Sequence, residues 1–250
     1  HIRNVLEDVV GHVDRVHEVP PGVDVEEFRF EPRNSAMQNL LEESERDPPN
    51  PGNANERLPD EGNAERFLEF LAGDEPTVLY FGKLLRNKGV HLLLEALSDV
   101  DARAVIVGFG DYRAELEGMA SPRTLFTGPL EHRHLVHLLP LADACVVPSI
   151  FPEAFGMVAA EAAAAGCPPL VARHSGLAEV AEGLEAEYPA EYRHLTSFAT
   201  GDAVDLREKL RELLALTPAE RAVISGSSRR AAVERWSWRS VADRLLEAGR

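Results

Sequence analysis

From residue 76 onwards, short runs of apolar residues alternate with segments in which apolar residues recur at helical spacing. Short apolar runs bounded by Gly or Pro are typical of buried strands, and the longer periodic segments are typical of helices. This alternation predicts an α/β fold with a doubly wound, Rossmann-like parallel sheet. The strands are predicted at Thr77–Phe81, Ala102–Val107, Thr124–Thr127, Ala144–Val147 and Pro169–Ala172, and the helices at Gly89–Leu97, Tyr112–Met119, His132–Leu139, Met157–Ala165, Asp202–Leu214 and Pro218–Arg235.

Residues 31–75 interrupt this pattern, because they contain few apolar residues and many Pro, Asn, Glu and Gly. Such a composition is typical of an exposed segment. We therefore predict an acidic, Pro/Asn-rich insertion outside the core, with two small helices at Ser35–Glu45 and Asn63–Leu71. Ahead of it, residues 1–30 predict a short helix, a strand at Arg15–Val19 and a turn at Pro20-Pro21-Gly22.

The charge narrows the classes of function. Asp and Glu outnumber Lys and Arg by 42 to 26, which gives a formal net charge of −16. This balance disfavours general nucleic-acid binding, which needs a basic surface, and makes any small basic cluster a candidate site for an anion. No apolar run approaches the ~18 residues of a membrane span. Cys145 and Cys167 lie in apolar segments and are expected to be buried free thiols, in keeping with a cytoplasmic protein.

The turn after the first predicted strand is a candidate anion site. Gly82 lets the backbone approach a ligand closely. Lys83 and Lys88 place positive charge at the carboxyl end of the strand, beside the start of the next helix. Phosphate and pyrophosphate groups bind at such places. The alternative is a solvated turn with ordinary surface lysines.

A second candidate is the segment PSIFPEAFGMVAAE, which joins the fourth strand to an alanine-rich helix. The helix is expected to begin near Gly156, so that the amides of Phe155, Gly156 and Met157 point into a cleft and donate hydrogen bonds. Glu153 precedes the helix, and Glu161 lies about one and a half turns inside it. The two carboxylates can hold hydroxyl groups at opposite ends of one ligand. The alternative makes them a helix-start residue and a surface residue, but a charge among the small apolar neighbours of Glu161 needs a partner.

The spacing of these two glutamates, with seven residues between them, resembles the E-x7-E motif of the family-4 retaining glycosyltransferases (glycosyl transferases group 1), which have the GT-B fold. Several ordered motifs over about 160 residues argue against chance similarity. The resemblance is to the C-terminal, donor-binding half of such enzymes. The further matches are Val19–Asp24, Gly82-Lys83-Leu84 with Lys88-Gly89, Val107–Gly110, Gly128, Ala142-Asp143 with Pro148-Ser149, and Ser175-Gly176 followed by Glu179.

The resemblance implies a role for each matching residue. Lys88 would hold the donor diphosphate with Lys83, which stands where the family usually has arginine and so keeps the charge without the bidentate fork. Glu153 would contact the donor sugar and Glu161 the ribose hydroxyls. The catalytic group would thus comprise Lys83, Lys88 and Glu153. The other donor-binding residues would be Gly82, Gly108, Gly110, Gly128, Leu130, Phe155, Gly156, Met157 and Glu161.

The resemblance also implies the reaction, in which a sugar passes from a nucleotide-diphosphate sugar to an acceptor hydroxyl with retained anomeric configuration. The two lysines and the helix start would stabilise the charge that develops on the leaving diphosphate, with no metal and no cofactor. The acceptor contacts would come from an N-terminal domain of the same enzyme. Any peripheral membrane contact is expected only through that other half.

The implied organisation has four parts. Residues 1–30 would be the tail of the N-terminal domain and the linker, 31–75 the insertion, and 76–235 the nucleotide-sugar-binding domain. The C-terminal helix at 236–250 would return toward the N-terminal domain, with Trp236 and Trp238 as packing anchors. Because the chain begins at His1 rather than Met, we expect a fragment that binds a sugar nucleotide weakly and transfers nothing measurable on its own.

Other interpretations stay open or are disfavoured at this point. A nucleotide-sugar epimerase of the GT-B type and a non-catalytic nucleotide-sugar-binding module stay open. A glycosidase is disfavoured, because a carboxylate pair of that kind needs no flanking lysines or helix-start amides. The sequence Asp99-Val100-Asp101 resembles a metal-binding D-x-D but is expected to be a solvated loop at the opposite edge of the sheet. His132, His134 and His137 lack the ligands to complete a metal site and predict an exposed helix.

Overall fold

The computed structural model describes residues 6–9, 11, 19–46 and 63–249. These residues form a six-stranded parallel sheet flanked by helices, which confirms the predicted fold class. The strands are β1 (Thr77–Phe81), β2 (Arg103–Val107), β3 (Thr124–Gly128), β4 (Ala144–Val147), β5 (Pro169–Ala172) and β6 (Ser197–Phe198). The helices are α1 (Arg33–Ser44), α2 (Asn63–Phe70), α3 (Val90–Leu97), α4 (Arg113–Met119), α5 (His132–Leu138), α6 (Met157–Ala164), α7 (Ser175–Glu185), α8 (Ala203–Ala215), α9 (Pro218–Ala231) and α10 (Trp238–Ala248).

The strands are apolar throughout because helices cover both faces of the sheet. Every residue of β1, β2, β4 and β5 is buried, as in parallel sheets that lie between two helical layers. The strand order is β3-β2-β1-β4-β5-β6. The chain therefore runs outward from β1 to β3, returns to the centre, and continues outward on the other side from β4. This reversal lies between β1 and β4.

The starts of the two longest C-terminal helices follow from their sequences. The Asp202 side chain accepts hydrogen bonds from the amides of Val204 and Asp205 and so caps α8. Thr217 and Glu220 form a capping box at the start of α9, with proline at its first position. The single helix predicted from Pro218 to Arg235 instead leaves α-helical geometry after Ala231 and ends in a π-helical turn, Ala232–Trp236.

The interpretation of residues 31–75 as lying outside the core was wrong for both of its helices. Ala36 and Leu40 of α1 and Phe67 of α2 are fully buried, and Leu71 just after α2 is nearly so. The few apolar residues of this region are spaced so that they share one face of a helix, and that face packs onto the body of the fold. The middle of the insertion, 47–62, lies outside the described residues, as does most of the strand predicted at Arg15–Val19.

Residues 23–28 also pack on the body of the fold. The amide of Val23 donates to the carbonyl of Trp236 at 2.7 Å. The Arg229 guanidinium of α9 donates to the carbonyls of Val25 and Phe28, at 2.7 and 2.6 Å. Trp236 is buried, as predicted for a packing anchor, and the Trp238 ring, although mostly exposed, lies against Gly22, where an added Cβ would be 2.3 Å from Trp238 Cε3. The helix predicted after Trp236 is present as α10.

Arg103 at the start of β2 ties α2 to the sheet. Its buried guanidinium donates to the carbonyls of Phe70, Leu71 and Ala72, at 2.6 to 3.2 Å, and to the Thr77 hydroxyl at 2.8 Å. The carbonyls at the end of α2 thus receive charged donors in place of water.

We expect Arg103→Ala to lower the free energy of unfolding by about 3 kcal/mol, because several buried carbonyls lose their donor at once. Urea unfolding of the chain measures this. Arg207→Ala is the matched control, since Arg207 makes only longer contacts, 3.3 to 3.4 Å, at the end of α3 and to Asp99. The control should cost about 1 kcal/mol or less. Equal costs for the two variants would contradict the assigned role of Arg103.

Candidate functional site

The reversal of strand order brings together the two loops that carried the predicted site. β1 and β4 are parallel neighbours, with Val78 opposite Ala144 and Leu79 opposite Cys145. The chain leaves both strands at the same edge of the sheet. Ligands of open α/β sheets bind at this edge, in the crevice where the strand order reverses.

The turn that follows β1 is held closely against its neighbours. The Tyr80 hydroxyl donates to the Lys83 carbonyl at 2.8 Å, and the Leu84 amide donates to the Phe109 carbonyl at 2.7 Å. Gly89, with φ of 71°, begins α3 beside the exit of β4, where an added Cβ would lie 1.9 Å from the Pro148 carbonyl oxygen. Only glycine fits there, so the sequence Lys-Gly sets how closely the turn approaches the loop after β4.

Lys88 and Glu153 meet across the reversal point. Lys88 Nζ lies 2.5 Å from Glu153 Oε1, and the two side chains are 29% and 23% exposed. The structure thus joins two residues that the sequence analysis assigned to neighbouring parts of one ligand. Lys83 is exposed on the same turn. With Lys88 it accounts for two of only three lysines in the sequence, the third being Lys209.

The helix that follows Glu153 begins without a side-chain cap. Its N-terminal boundary residue, Gly156, has φ of 124°, and an added Cβ there would lie 2.7 Å from Leu177 Cδ2. Met157 is the first residue of α6, so the predicted helix start is confirmed. The Phe155 side chain is buried edge-on against Trp236, with ring centroids 5.9 Å apart, which leaves only its backbone for a ligand. The uncapped amides and the helix dipole favour negative charge at this point.

Glu161 is a buried acid of the helix that follows Glu153. It lies inside α6 among Ala159–Ala165 and is 8% exposed, so the surface interpretation was wrong. None of the described residues donates a hydrogen bond to its carboxylate. Burial, helped by the charge of Glu27, raises the pKa of Glu161 to about 7. A carboxyl group that titrates near neutrality inside an alanine helix is typical of a functional position.

The predicted glycines just after β2 and at the end of β3 lie along the same edge. The Gly82 amide donates to the Val107 carbonyl at 3.0 Å, and the Gly108 amide donates to the Gly128 carbonyl at 2.9 Å. An added Cβ on Gly108 or Gly110 would come within 1.8 Å of the Gly82 oxygen or 2.3 Å of the Leu84 oxygen. These glycines therefore allow adjacent turns to pack closely. Leu130 follows them, half-buried against the core.

The other candidate metal ligands are engaged elsewhere. Asp99 and Asp101 lie before β2, at the opposite edge of the sheet, and pair with Arg207 and Arg123, as expected of a solvated loop. His134 is fully buried, so the expectation of an exposed helix was wrong for it. The reason is that α5 packs against α1 of the insertion, where His137 Nδ1 lies 2.7 Å from Glu31 Oε2. Within 6–9, 11, 19–46 and 63–249, no cluster of three or more His, Cys, Asp or Glu could hold a metal ion.

Two further expectations concern the cysteines and membrane helices. Cys145 and Cys167 are buried free thiols, as predicted. Burial raises the pKa of both thiols, so neither is activated as a nucleophile. Among the helices of the described residues, none has the length and apolar character needed to cross a membrane.

The sequence of this chain is similar to those of known proteins. A family model described as glycosyl transferases group 1 matches residues 63–230. D-inositol 3-phosphate glycosyltransferase of Xylanimonas cellulosilytica is 34% identical over 193 residues, which cover 71% of this chain and 40% of that protein. The chain therefore spans well under half the length of this relative.

Solved structures show the same fold. Anabaena Alr3699/HepE in complex with UDP and glucose matches with a TM-score of 0.74 at 19% identity, over 98% of this chain and 59% of that one. The C-terminal domain of a glycosyl transferase group 1 family protein (LpcC) from Francisella tularensis matches with a TM-score of 0.60 at 19% identity, over 87% of this chain and 100% of that domain.

Proposed function

This chain belongs to the glycosyl transferases group 1 family, and from that premise we propose that it is the donor-binding half of a retaining, family-4-type glycosyltransferase. In the proposed reaction, a sugar leaves a nucleotide diphosphate and is transferred to an acceptor hydroxyl with retained anomeric configuration. The observation that carries the proposal is the Lys88–Glu153 pair at the reversal of strand order, beside the uncapped start of α6.

The main task of such a site is to stabilise charge on the leaving diphosphate. Lys88, Lys83 and the first amides of α6 supply positive or partly positive charge from two sides of the crevice. Glu153, paired with Lys88, carries the acceptor oxygens that suit sugar hydroxyls. We assign the stabilisation to these groups rather than to a metal or cofactor, so EDTA should leave the rate unchanged.

Glu161 is assigned to the ribose. A carboxylate accepts two hydroxyl hydrogen bonds at once, and two adjacent ribose hydroxyls offer that pair. Three adjacent strands, β1, β2 and β3, carry the residues predicted to border the nucleotide at or just after their ends, along the same edge: Gly82, Gly108, Gly110, Gly128 and Leu130. The Anabaena protein was solved with UDP and glucose, and for this chain we propose a nucleotide sugar as the donor.

The acceptor is assigned to an N-terminal half of the same enzyme. The C-terminal helix α10 exposes Trp238, Leu245 and Leu246, which is unusual for a surface helix of an acidic protein. We propose that this helix returns to that half, that any membrane contact is made only there, and that the enzyme works in the cytoplasm. On its own, the chain would bind donor weakly and transfer no sugar.

The test is a transfer assay with the complete gene product and UDP-, GDP- and ADP-sugars, in which the product anomer is identified by NMR. Transfer with retained configuration supports the proposal. An inverted product would contradict it, and an epimerised nucleotide sugar without glycoside would favour the epimerase. Binding without any turnover by the complete gene product would favour the non-catalytic module.

Lysine-selective acylation tests the donor site on this chain alone, because its three lysines give a simple readout by mass spectrometry. With a nucleotide sugar at millimolar concentration, we expect Lys83 and Lys88 to be protected about fivefold or more, since bound phosphate excludes the reagent and lowers amine nucleophilicity. Lys209 on α8 is the internal control and should react at its original rate. Equal labelling of all three lysines at saturating nucleotide sugar would argue against the site.

A further inference from the structure

His174 connects Ser149 and Glu153, which lie at the two ends of the loop that follows β4, through a chain of hydrogen bonds. Its Nε2 atom lies 2.7 Å from the Ser149 carbonyl oxygen, and its Nδ1 atom lies 2.8 Å from the Ser175 hydroxyl oxygen. The Ser175 oxygen in turn lies 2.9 Å from the Glu153 amide nitrogen. We name these four residues, Ser149, His174, Ser175 and Glu153, the His174 bridge.

For a neutral imidazole, the chemistry of the partner groups fixes the direction of every bond in the His174 bridge. A carbonyl oxygen only accepts, so Nε2 carries a proton and donates it to Ser149. A backbone amide only donates, so the Ser175 oxygen accepts from Glu153. The Ser175 hydroxyl proton is then free to be donated to Nδ1, which accepts in the neutral imidazole. One tautomer and one hydroxyl orientation satisfy all three contacts.

The backbone at Ser175 has an unfavourable conformation. Its φ is 46°, and it is the sole non-glycine residue with positive φ in the part of the chain that the structure describes. Such a conformation costs about 1–2 kcal/mol for a residue with a Cβ. Glycine would relieve the strain but would remove the hydroxyl that contacts both His174 and Glu153.

Glu153 is fixed at both of its peptide groups. Its amide donates to Ser175, and its carbonyl accepts from the Gly176 amide at 3.0 Å. At the other end of the same loop, the Ile150 amide donates to the Asn87 carbonyl at 3.0 Å, next to Lys88. The loop is therefore anchored at one end to the turn that carries Lys88 and at the other end to the start of α7.

We propose that His174 and Ser175 are positioning residues that hold the Glu153 carboxylate beside Lys88 at the reacting sugar. This inference rests on the proposed function. Neither residue has to touch the donor, because both act through the backbone of Glu153. A carboxylate displaced by about 1 Å stabilises the transition state much less, while the nucleotide stays bound through other groups.

The test is Ser175→Gly in the complete gene product, with Ser98→Gly at the exposed end of α3 as the matched control. Glycine relieves the positive φ, so stability should be kept or rise. The kcat should nonetheless fall about 10- to 100-fold while the donor KM changes by less than about threefold. His174→Ala should likewise lower kcat with little change in the donor KM. The control should leave kcat and KM unchanged.

A second readout uses this chain without any turnover. Imidazole ¹⁵N NMR should show His174 as the Nε2–H tautomer, and Ser175→Gly should shift its Nδ1 resonance toward that of a non-hydrogen-bonded nitrogen. An Nδ1–H tautomer would overturn the His174 bridge. Wild-type kcat in Ser175→Gly would overturn the positioning role while transfer itself stands. If wild-type protein transfers no sugar from any donor, the proposed function and the positioning role both fail, and the NMR signal then reports the His174 bridge alone.

Discussion

Replacing Lys88 with alanine in the complete gene product should lower kcat about a thousandfold. Lys88 lies 2.5 Å from Glu153 at the reversal of strand order, where the proposed leaving diphosphate gains negative charge. Alanine removes the cation and also leaves the Glu153 carboxylate unpaired beside a polyanion. Both effects raise the energy of the transition state. Initial rates at saturating donor and acceptor measure kcat, and direct titration measures donor affinity.

The chain offers close controls for this experiment. Lys209→Ala removes the one lysine that lies outside the turn after β1 and should keep kcat within about twofold. Lys88→Arg keeps the charge and should recover part of the rate. The double variant Lys88→Ala with Glu153→Ala should be no slower than Lys88→Ala, because residues that act as one unit are not additive. A Lys88→Ala enzyme within tenfold of wild type would contradict the assigned role.

The strands could be predicted from the sequence because a strand that is buried on both faces is a continuous apolar run, without alternation of apolar and polar residues. The bounds of β1, β4 and β5 agree with the predicted ones, since each is a continuous apolar run that ends at a turn or a helix. The two-residue β6 was not predicted, because two residues carry no periodicity. The omission of α7 has a different reason. Leu177, Val180, Ala181 and Leu184 have helical spacing and are all buried, so the signal was present in the sequence.

The average composition of residues 31–75 gave the wrong prediction of their burial. Residues 31–75 are polar as a whole, yet the positions of a few apolar residues decide whether a helix packs on the core. Leu40 and Phe67 are such residues. The burial of His134 has the same cause, because α5 would face solvent without α1 beside it.

The residue types of the site could be predicted, but their pairing could not. Lys88 and Glu153 are far apart in sequence and meet because β4 returns beside β1, a non-local property of the strand order. The role of His174 was beyond sequence reasoning for another reason. Its partners are a backbone carbonyl and a serine hydroxyl, and any sequence supplies these in many places.

Glu161→Gln should stabilise the chain at pH 8 and weaken donor binding at the same pH. Folding raises the pKa of this carboxyl group from 4.5 to about 7, so the folded state binds its proton more tightly than the unfolded state does. The linked penalty is absent below pH 4.5, grows as pH rises toward 7 and is complete above that. At pH 8 it corresponds to about 3 kcal/mol, which the neutral amide avoids. Urea unfolding at pH 8 and pH 4.5 should therefore show a large difference between wild type and variant at pH 8 and almost none at pH 4.5.

Ionisation of Glu161 lowers the stability of the fold but should raise the affinity for the donor. The charged carboxylate is the stronger acceptor for ribose hydroxyls, so the affinity of the wild-type chain for a nucleotide sugar should rise as pH increases through about 7. In Glu161→Gln this rise should be absent, and the affinity at pH 8 should be about tenfold lower. Glu208→Gln, on the exposed side of α8, is the matched control and should change neither stability nor affinity. A Glu161→Gln chain that gains stability at pH 8 yet binds donor as wild type does would confirm the cost of burying the charged carboxylate and contradict its role in donor binding. It would show that the acid inside α6 does not touch the donor.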